Sequence, residues 1–386
     1  MAKRKPRRTI NDVKADITAK MLAALKEDLP PWRQGWAKGG ASGMPRNFQT
    51  KRRYSGINPL ILMWTARSLG FRSCHWGTSN AWQKQLGAKV KLGQKGTQVV
   101  FYKMLEKKDK AGAPVRDEKG RPQRFPMLAY FTVFNTDQME APSVEALLDG
   151  KCGSGKRFGS LVRGLLAPDS SAARTKVATV AELQKLVDKY VPKKMVPKDK
   201  KLKREELAQL VHDGIEAKLE SYRTPIVERN DDPDYEPAEE LIAATGANVT
   251  YGSDEAAYLT LEDRIIMPDK RSFHTISHYY EAHFHELAHW TEPDERVGRK
   301  EGHKYAFGEL VADMAACMVL TELGVPLANE MTENSKSYIK SWIKALESGS
   351  EDSSKFIFDA ATQAGKVMDY LLAFVGKANP KFEEAA

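Results

Sequence analysis

Residues 285–289 read His285-Glu286-Leu287-Ala288-His289, and this stretch decides how the second half of the chain is built. The flanking pattern predicts a helix from about Ser277 to Trp290. Each helical residue advances by about 100°, so positions four apart share one face, one turn apart. Both imidazoles can therefore reach a single ion. Glu286 sits beside the first of them, where its carboxylate can address water instead of the ion. A second helix is predicted from about Tyr305 to Leu323, and it carries Glu309, twenty residues beyond His289. Two antiparallel helices joined by a loop bring that carboxylate to the same point. Two histidines and one carboxylate leave a coordination position open, as catalysis requires. One divalent ion per chain is expected, zinc or alternatively manganese.

Around this constellation several side chains have assignable roles. Asp313, one turn after Glu309, is suited to accept a hydrogen bond from a ligand imidazole and so fix its tautomer. Glu286 can take a proton from water and pass it to a leaving amine while the cation polarises a peptide carbonyl. Tyr305 or His303 is a candidate stabiliser of the oxyanion. Residues 256–268 read as two short strands with a turn at Glu262-Asp263, one of which could offer its edge to an extended peptide. The Glu309-x-x-x-Asp313 spacing resembles the third-ligand helix of gluzincin peptidases, whereas the longer metzincin pattern fails because Glu292 and Glu295 occupy its glycine and histidine positions. Six of the eight histidines fall between 274 and 303. His274 and His278 are four apart without an acid between them, and His283 reads as a neighbour of the site. Two alternatives stay open: the histidines are hydrogen-bonded core residues, or the site holds metal without cleaving.

Upstream, the charge changes sign. Residues 1–135 hold 28 Lys+Arg against 8 Asp+Glu, residues 136–235 hold 18 against 17, and residues 236–386 hold 14 against 26. A basic module followed by an acidic one implies different partners for each. Three scattered cysteines provide no disulfide framework, and no apolar stretch reaches membrane-span length, so a cytoplasmic protein is expected. The expected fold class is α+β in three segments. Residues 1–140 form an α+β domain that opens with a helix capped by Thr9. It continues through a helix starting at Asn58-Pro59, a short helix over 79–86, and strands at 98–102 and 128–134. Residues 141–238 read as a partly helical insertion or linker. Residues 239–386 form a mainly helical domain with a small sheet.

The basic module also holds five of the seven tryptophans. Cations that follow phosphates, together with rings that stack on unpaired bases, suit single-stranded nucleic acid. The candidate contacts are Trp32, Lys51, Arg52, Arg53, Tyr54, Trp76, Trp82, Lys91 and Lys95. Against this, tryptophans are often core residues, and lysines on a hairpin are often no more than a solvated face.

Certain stretches carry a family resemblance. In the first half they are Tyr54-Ser55-Gly56-Ile57-Asn58, Trp82, Gly93-Gln94-Lys95-Gly96-Thr97 with Val99-Val100, and Val133-Phe134-Asn135-Thr136-Asp137-Gln138. In the second they are Ile266-Met267-Pro268, the run from His285 to Thr291, and Tyr305-Ala306-Phe307-Gly308-Glu309-Leu310-Val311-Ala312-Asp313. With these motifs in this order the chain resembles the ArdC-type antirestriction proteins of conjugative plasmids and phages, whose N-terminal part is shared with TraC-type primases. The resemblance implies a domain that binds single-stranded DNA, a zincin-like metallopeptidase domain, and a role in protecting incoming DNA from host restriction. In the enzyme reading, DNA binding brings the peptidase to proteins such as a host restriction protein that meet the same DNA. The long middle segment departs from the family pattern, as does Gly308, which stands where an acidic residue is common.

Overall fold

The fold is described from a computed structural model. It covers residues 10–27, 30, 32, 43–107, 114–116, 120–149, 178–197, 202–223, 234–298, 305–328, 333–347 and 351–377. Helix α1 (Ile10–Lys26) presents Val13, Ile17, Met21 and Leu25 at helical spacing, and all four are buried. Thr9, its expected cap, lies outside the described residues. The apolar face of α1 packs on the last two helices of the chain, α10 (Glu333–Glu347) and α11 (Glu351–Ala373). Polar contacts frame the seam: Thr18 Oγ1 lies 3.0 Å from Ser354 Oγ, and Lys26 pairs with Glu347 at 2.7 Å.

A four-stranded sheet follows in the order β1 (Arg46–Asn47), β2 (His75–Gly77), β5 (Arg124–Asn135), β4 (Thr97–Glu106). Strands β4 and β5 form a long antiparallel ribbon from Thr97↔Val133 to Glu106↔Arg124. One face buries Val99 and Val133 with Tyr54, Leu62 and Trp76, while Val100 on the opposite face joins the core of α1. Helix α2 (Asn58–Ser68) is seated against this ribbon by its first residue. Asn58, a residue type suited to capping a helix, instead binds both polar groups of Val100, Nδ2 donating to the carbonyl at 2.7 Å and Oδ1 accepting from the amide at 2.8 Å. The tertiary contact prevails because a buried strand amide must be satisfied.

Helix α3 (Ser79–Leu86) is capped by Thr78, whose hydroxyl accepts from the Ala81 amide, and it brings Trp82 flat against Phe48 at 3.7 Å. Gly77 permits that stack, since a Cβ there would lie 2.5 Å from the Phe48 ring. Strands β3 (Lys89–Val90) and β6 (Met139–Glu140) pair beside it.

The described part of the middle segment is packed rather than linker-like. Helix α4 (Val144–Asp149), helix α5 (Val180–Tyr190), with a Thr179/Glu182 capping box, and helix α6 (Arg204–Glu220) share one core with Phe48, Trp82, Leu86 and Met139. Leu183, Leu186, Val187, Val211 and Ile215 come from the helices. Arg223, just past α6, pairs with Asp137 at 2.8 Å. One core therefore joins residues on both sides of 140, and another joins the first and last segments.

The C-terminal part opens with α7 (Glu236–Thr245). Its three-stranded sheet has the order β7 (Asn248–Tyr251), β9 (Arg264–Met267), β8 (Ala257–Leu259). Helices α8 (Ile276–Trp290) and α9 (Tyr305–Leu323) lie against each other. From Phe307 to Leu320 nearly every residue of α9 is buried, which marks it as the central helix of the bundle. Near its end Glu322 meets the first half of the chain. Arg53 Nη1 donates to Glu322 Oε1 at 2.9 Å, Arg46 pairs with the same oxygen, and the Met44 amide donates to Oε2 at 3.0 Å. Arg53 also reaches Asp369 at 3.2 Å and donates to the Lys377 carbonyl at 2.7 Å. Among the described residues no helix is long and apolar enough to cross a membrane.

Candidate metal centre

Thr275 caps α8 by accepting from the His278 amide, and the helix then carries His285, Glu286 and His289 toward α9. His285 Nε2 and His289 Nε2 lie 3.2 Å apart. Glu309 Oε2 is 3.2 Å from His285 Nε2, and Glu309 Oε1 is 3.5 Å from His289 Nε2. Donors held at zinc–ligand distances in a tetrahedron are separated by about 3.3 Å. The two imidazole nitrogens and the two Glu309 oxygens that face them sit close to that spacing, and His285, His289 and Glu309 form a group that could hold a metal ion.

The tautomers agree with this. His289 Nδ1 lies 2.7 Å from Glu292 Oε1, which can accept the Nδ1 proton and so aims Nε2 at the other donors, where a bound ion would replace the second ring proton. Electrostatics point the same way. Burial works against a charge on His289, but the Glu292 and Glu309 carboxylates outweigh it and push this histidine up to about 9. Burial likewise works to raise the Glu309 carboxyl, yet the hydrogen bonds and charges of His285 and His289 hold it well below the usual carboxylate range. The point where the three donors meet thus favours positive charge. Glu286 is buried on the same helix. Nearby, His283 is fully buried with Nδ1 3.2 Å from the Tyr279 hydroxyl, and burial drives it down to about 4, which fits a neutral neighbour.

Asp313 is buried one turn beyond Glu309, and its Oδ2 accepts from the Trp32 indole Nε1 at 2.5 Å. On His289 it is Glu292 that meets Nδ1. Residue 292 had served in the sequence only to exclude a longer motif, although its place three residues beyond a ligand histidine was a usable signal. His274 and His278 have rings 6.1 Å apart, and His278 Nδ1 lies 2.8 Å from the capping Thr275 hydroxyl. His303 and the Tyr305 side chain lie outside the described residues.

The expected base-stacking residues are corrected by burial. Trp32, Trp76 and Trp82 are each 0% exposed, and Tyr54 is buried with them, so none offers a face to a base. Each ring is occupied by the core: Trp82 against Phe48, Trp32 near Trp342, Trp76 near Phe71, Tyr54 near Phe101. Arg53 is buried in its ion pairs. Arg52 is half-buried. Lys51 is exposed, with Nζ 4.1 Å from the Tyr222 ring centre. Lys91 donates to the Asp137 carbonyl at 2.7 Å, and Lys95 is exposed in the same loop. Composition did not single out two rings exposed among the described residues: Phe101 (37% exposed) and Phe131 (49%) meet edge to face at 5.4 Å on the β4–β5 ribbon.

Comparison with known proteins matches both halves. Residues 11–134 match the family described as the N-terminal domain of anti-restriction factor ArdC, and residues 236–363 match the zincin-like metallopeptidase family. A DNA primase TraC of Escherichia coli is 29% identical over 388 residues, and the alignment takes in 96% of this chain but 20% of the primase. The chain thus spans about a fifth of that relative's length. Among solved structures, the metal-free crystal structure of the antirestriction ArdC protein from the R388 plasmid is similar with 25% identity and a TM-score of 0.61, covering 95% of this chain and 99% of that one. The Mn(II)-bound structure of the same protein matches with the same identity and coverage and a TM-score of 0.57. An ArdC-type N-terminal domain thus stands ahead of a zincin-like one, and with a fold match over 95% of its length the chain is similar to the ArdC antirestriction protein of the R388 plasmid.

Proposed function

We propose that this chain protects incoming plasmid or phage DNA from host restriction by binding single-stranded DNA through its basic half and hydrolysing protein at a metal centre in its acidic half. The observation that carries the metal centre is the spacing of three donors from two helices at 3.2, 3.2 and 3.5 Å. His285, His289 and Glu309 would hold one Zn²⁺, or Mn²⁺ as in the R388 relative. Bound there, a divalent ion supplies Lewis acidity that acidifies water and polarises a peptide carbonyl. Glu286, turned from the ligand face by its adjacent position on α8, takes a proton from water and delivers it to the leaving amine. Glu292 keeps His289 in the tautomer that ligation needs. Strand β8 lies at the sheet edge and packs on α8, so an extended peptide adding to that edge would run past the site. Elemental analysis tests the ligand set. The parent is expected to contain about one zinc or manganese per chain and His285→Ala essentially none. Equal content in the two proteins overturns the assignment.

Single-stranded DNA binding is supported by the excess of 28 Lys+Arg over 8 Asp+Glu in residues 1–135 and by the primase and antirestriction relatives. With Trp32, Trp76 and Trp82 buried, Phe101 and Phe131 take the stacking role. In a fluorescence-anisotropy titration with oligo-dT, a Phe101→Ala/Phe131→Ala chain is expected to bind about tenfold or more weakly, since each stacked base contributes about 1–3 kcal/mol. Its dependence on salt should match the parent's, because the cations are untouched. Equal affinity removes the rings from the interface. A parent that fails to bind at low salt removes the DNA reading.

A further inference from the structure

Arg296 lies in the loop that follows α8, and its side chain joins that helix to the small sheet. Nη1 donates to the carbonyl of Trp290, the last residue of α8, and the guanidinium carbon sits 3.9 Å from the centre of the Trp290 ring. Nη2 pairs with Asp263 in the turn between β8 and β9, and Nη1 also lies 3.4 Å from the Tyr258 hydroxyl on β8. Tyr258 donates in turn to Asp263 Oδ1 at 2.8 Å. The hydrogen bond from Arg296 holds the Asp263 carboxyl below its usual range, so a carboxylate meets the guanidinium. Arginine presents its donors in a rigid planar fork, and one such side chain can hold two elements at a fixed separation. The fork is itself anchored, since the Arg296 amide donates to the Pro293 carbonyl at 3.0 Å. Strand β8 spans three residues and has one strand neighbour among the described residues, so its ladder supplies few bonds to hold it.

We infer that Arg296 is a positioning residue for the substrate: it fixes the β8 edge over α8, so that an extended peptide adding to that edge is held where His285, Glu286 and His289 can reach it. This rests on the reading of β8 as the docking edge. Arg296 acts on peptide affinity and not on metal uptake, because the partners that it grips are Trp290, Tyr258 and Asp263, none of them a ligand. A peptide that binds by backbone pairing needs an edge already in place, since ordering the strand on binding would cost affinity.

Two measurements on the full-length chain test this together: steady-state cleavage of casein, and binding of fluorescein-labelled casein to the Glu286→Gln chain, followed by anisotropy. Arg296→Gln loses the fork, and Asp263→Asn keeps the arginine but removes the charge that it grips. Each is expected to raise KM for casein about tenfold, the size of one lost charge-assisted hydrogen bond, with kcat within about twofold of the parent and metal content unchanged. The same tenfold loss should appear in Kd when either change is placed in the Glu286→Gln chain. Arg264→Gln removes a cation from the same hairpin whose partner is Glu262, and it should bind casein as the parent does. Parental KM and Kd in Arg296→Gln overturn the proposal, as does a loss confined to kcat or metal content, or an equal loss in Arg264→Gln. Should Arg296→Gln fail to fold, Asp263→Asn decides by the same readouts, since the Asp263 side chain is 55% exposed. A Glu286→Gln chain that binds no casein overturns docking at β8 and this proposal together. A parent that does not cleave, while Glu286→Gln binds, overturns hydrolysis alone, and the comparison of Kd values still decides the role of Arg296.

Discussion

Glu286→Gln is expected to keep its metal and to lose peptide hydrolysis by on the order of 10²–10⁴-fold, the range spanned by removal of a general base. Glutamine preserves the shape and hydrogen-bonding reach of the side chain but cannot take a proton. The three donor atoms come from His285, His289 and Glu309, so metal content should match the parent's. Two measurements belong together, metal content and digestion of an unfolded protein such as casein. Parental cleavage by the variant would remove Glu286 from the chemistry, and loss of metal would make it structural. A third measurement, survival of transferred DNA in a restricting host, separates two kinds of protector. If Glu286→Gln protects as well as the parent, coating of single strands suffices and the ion serves the fold. If protection falls with hydrolysis, cleavage is the protective act.

The second large effect is expected at Glu322. Its carboxylate accepts from Arg46, Arg53 and the Met44 amide, and the Arg53 side chain is only 1% exposed. Removing one partner of a buried pair strands the other charge, which costs roughly 3–5 kcal/mol. Arg53 would retain Asp369 and the Lys377 carbonyl, so Glu322→Ala should fall near the lower end, about 3 kcal/mol. Asp369 pairs with the same arginine but its side chain is 42% exposed, so Asp369→Asn should cost under about 1 kcal/mol. Urea unfolding of both variants gives the comparison. Equal costs would show that burial does not set the strength of this cluster.

Much of the metal centre could be read in the chain because its geometry is local. A four-residue spacing on one helix fixes two imidazoles, and the next helix supplies the acid. The C-terminal helices were likewise legible, since long periodic segments announce themselves. Strand β7 was not, because Asn248-Val249-Thr250-Tyr251 is short and largely exposed, and it gains order by pairing with β9. The two- and three-residue strands β1, β2, β3 and β6 are shorter than any alternation that could reveal them. The tryptophans misled for a different reason. Composition records that a ring is present, but not which way it faces, and Trp82 was committed to Phe48 by a glycine at position 77. Nothing near Trp32 in sequence points to Asp313. Contacts across hundreds of residues belong to topology, and topology also folded the middle helices onto Trp82 and Met139.

The first described helix closes against the last two, so the basic and acidic halves share one core. Cutting it at the junction between the basic and acidic halves would strip Val13, Ile17, Met21 and Leu25 of their cover on one fragment and leave a matching oily scar on the other. Fragments of that kind aggregate rather than report on half a protein. Dissecting this molecule therefore calls for single-atom surgery inside an uncut chain.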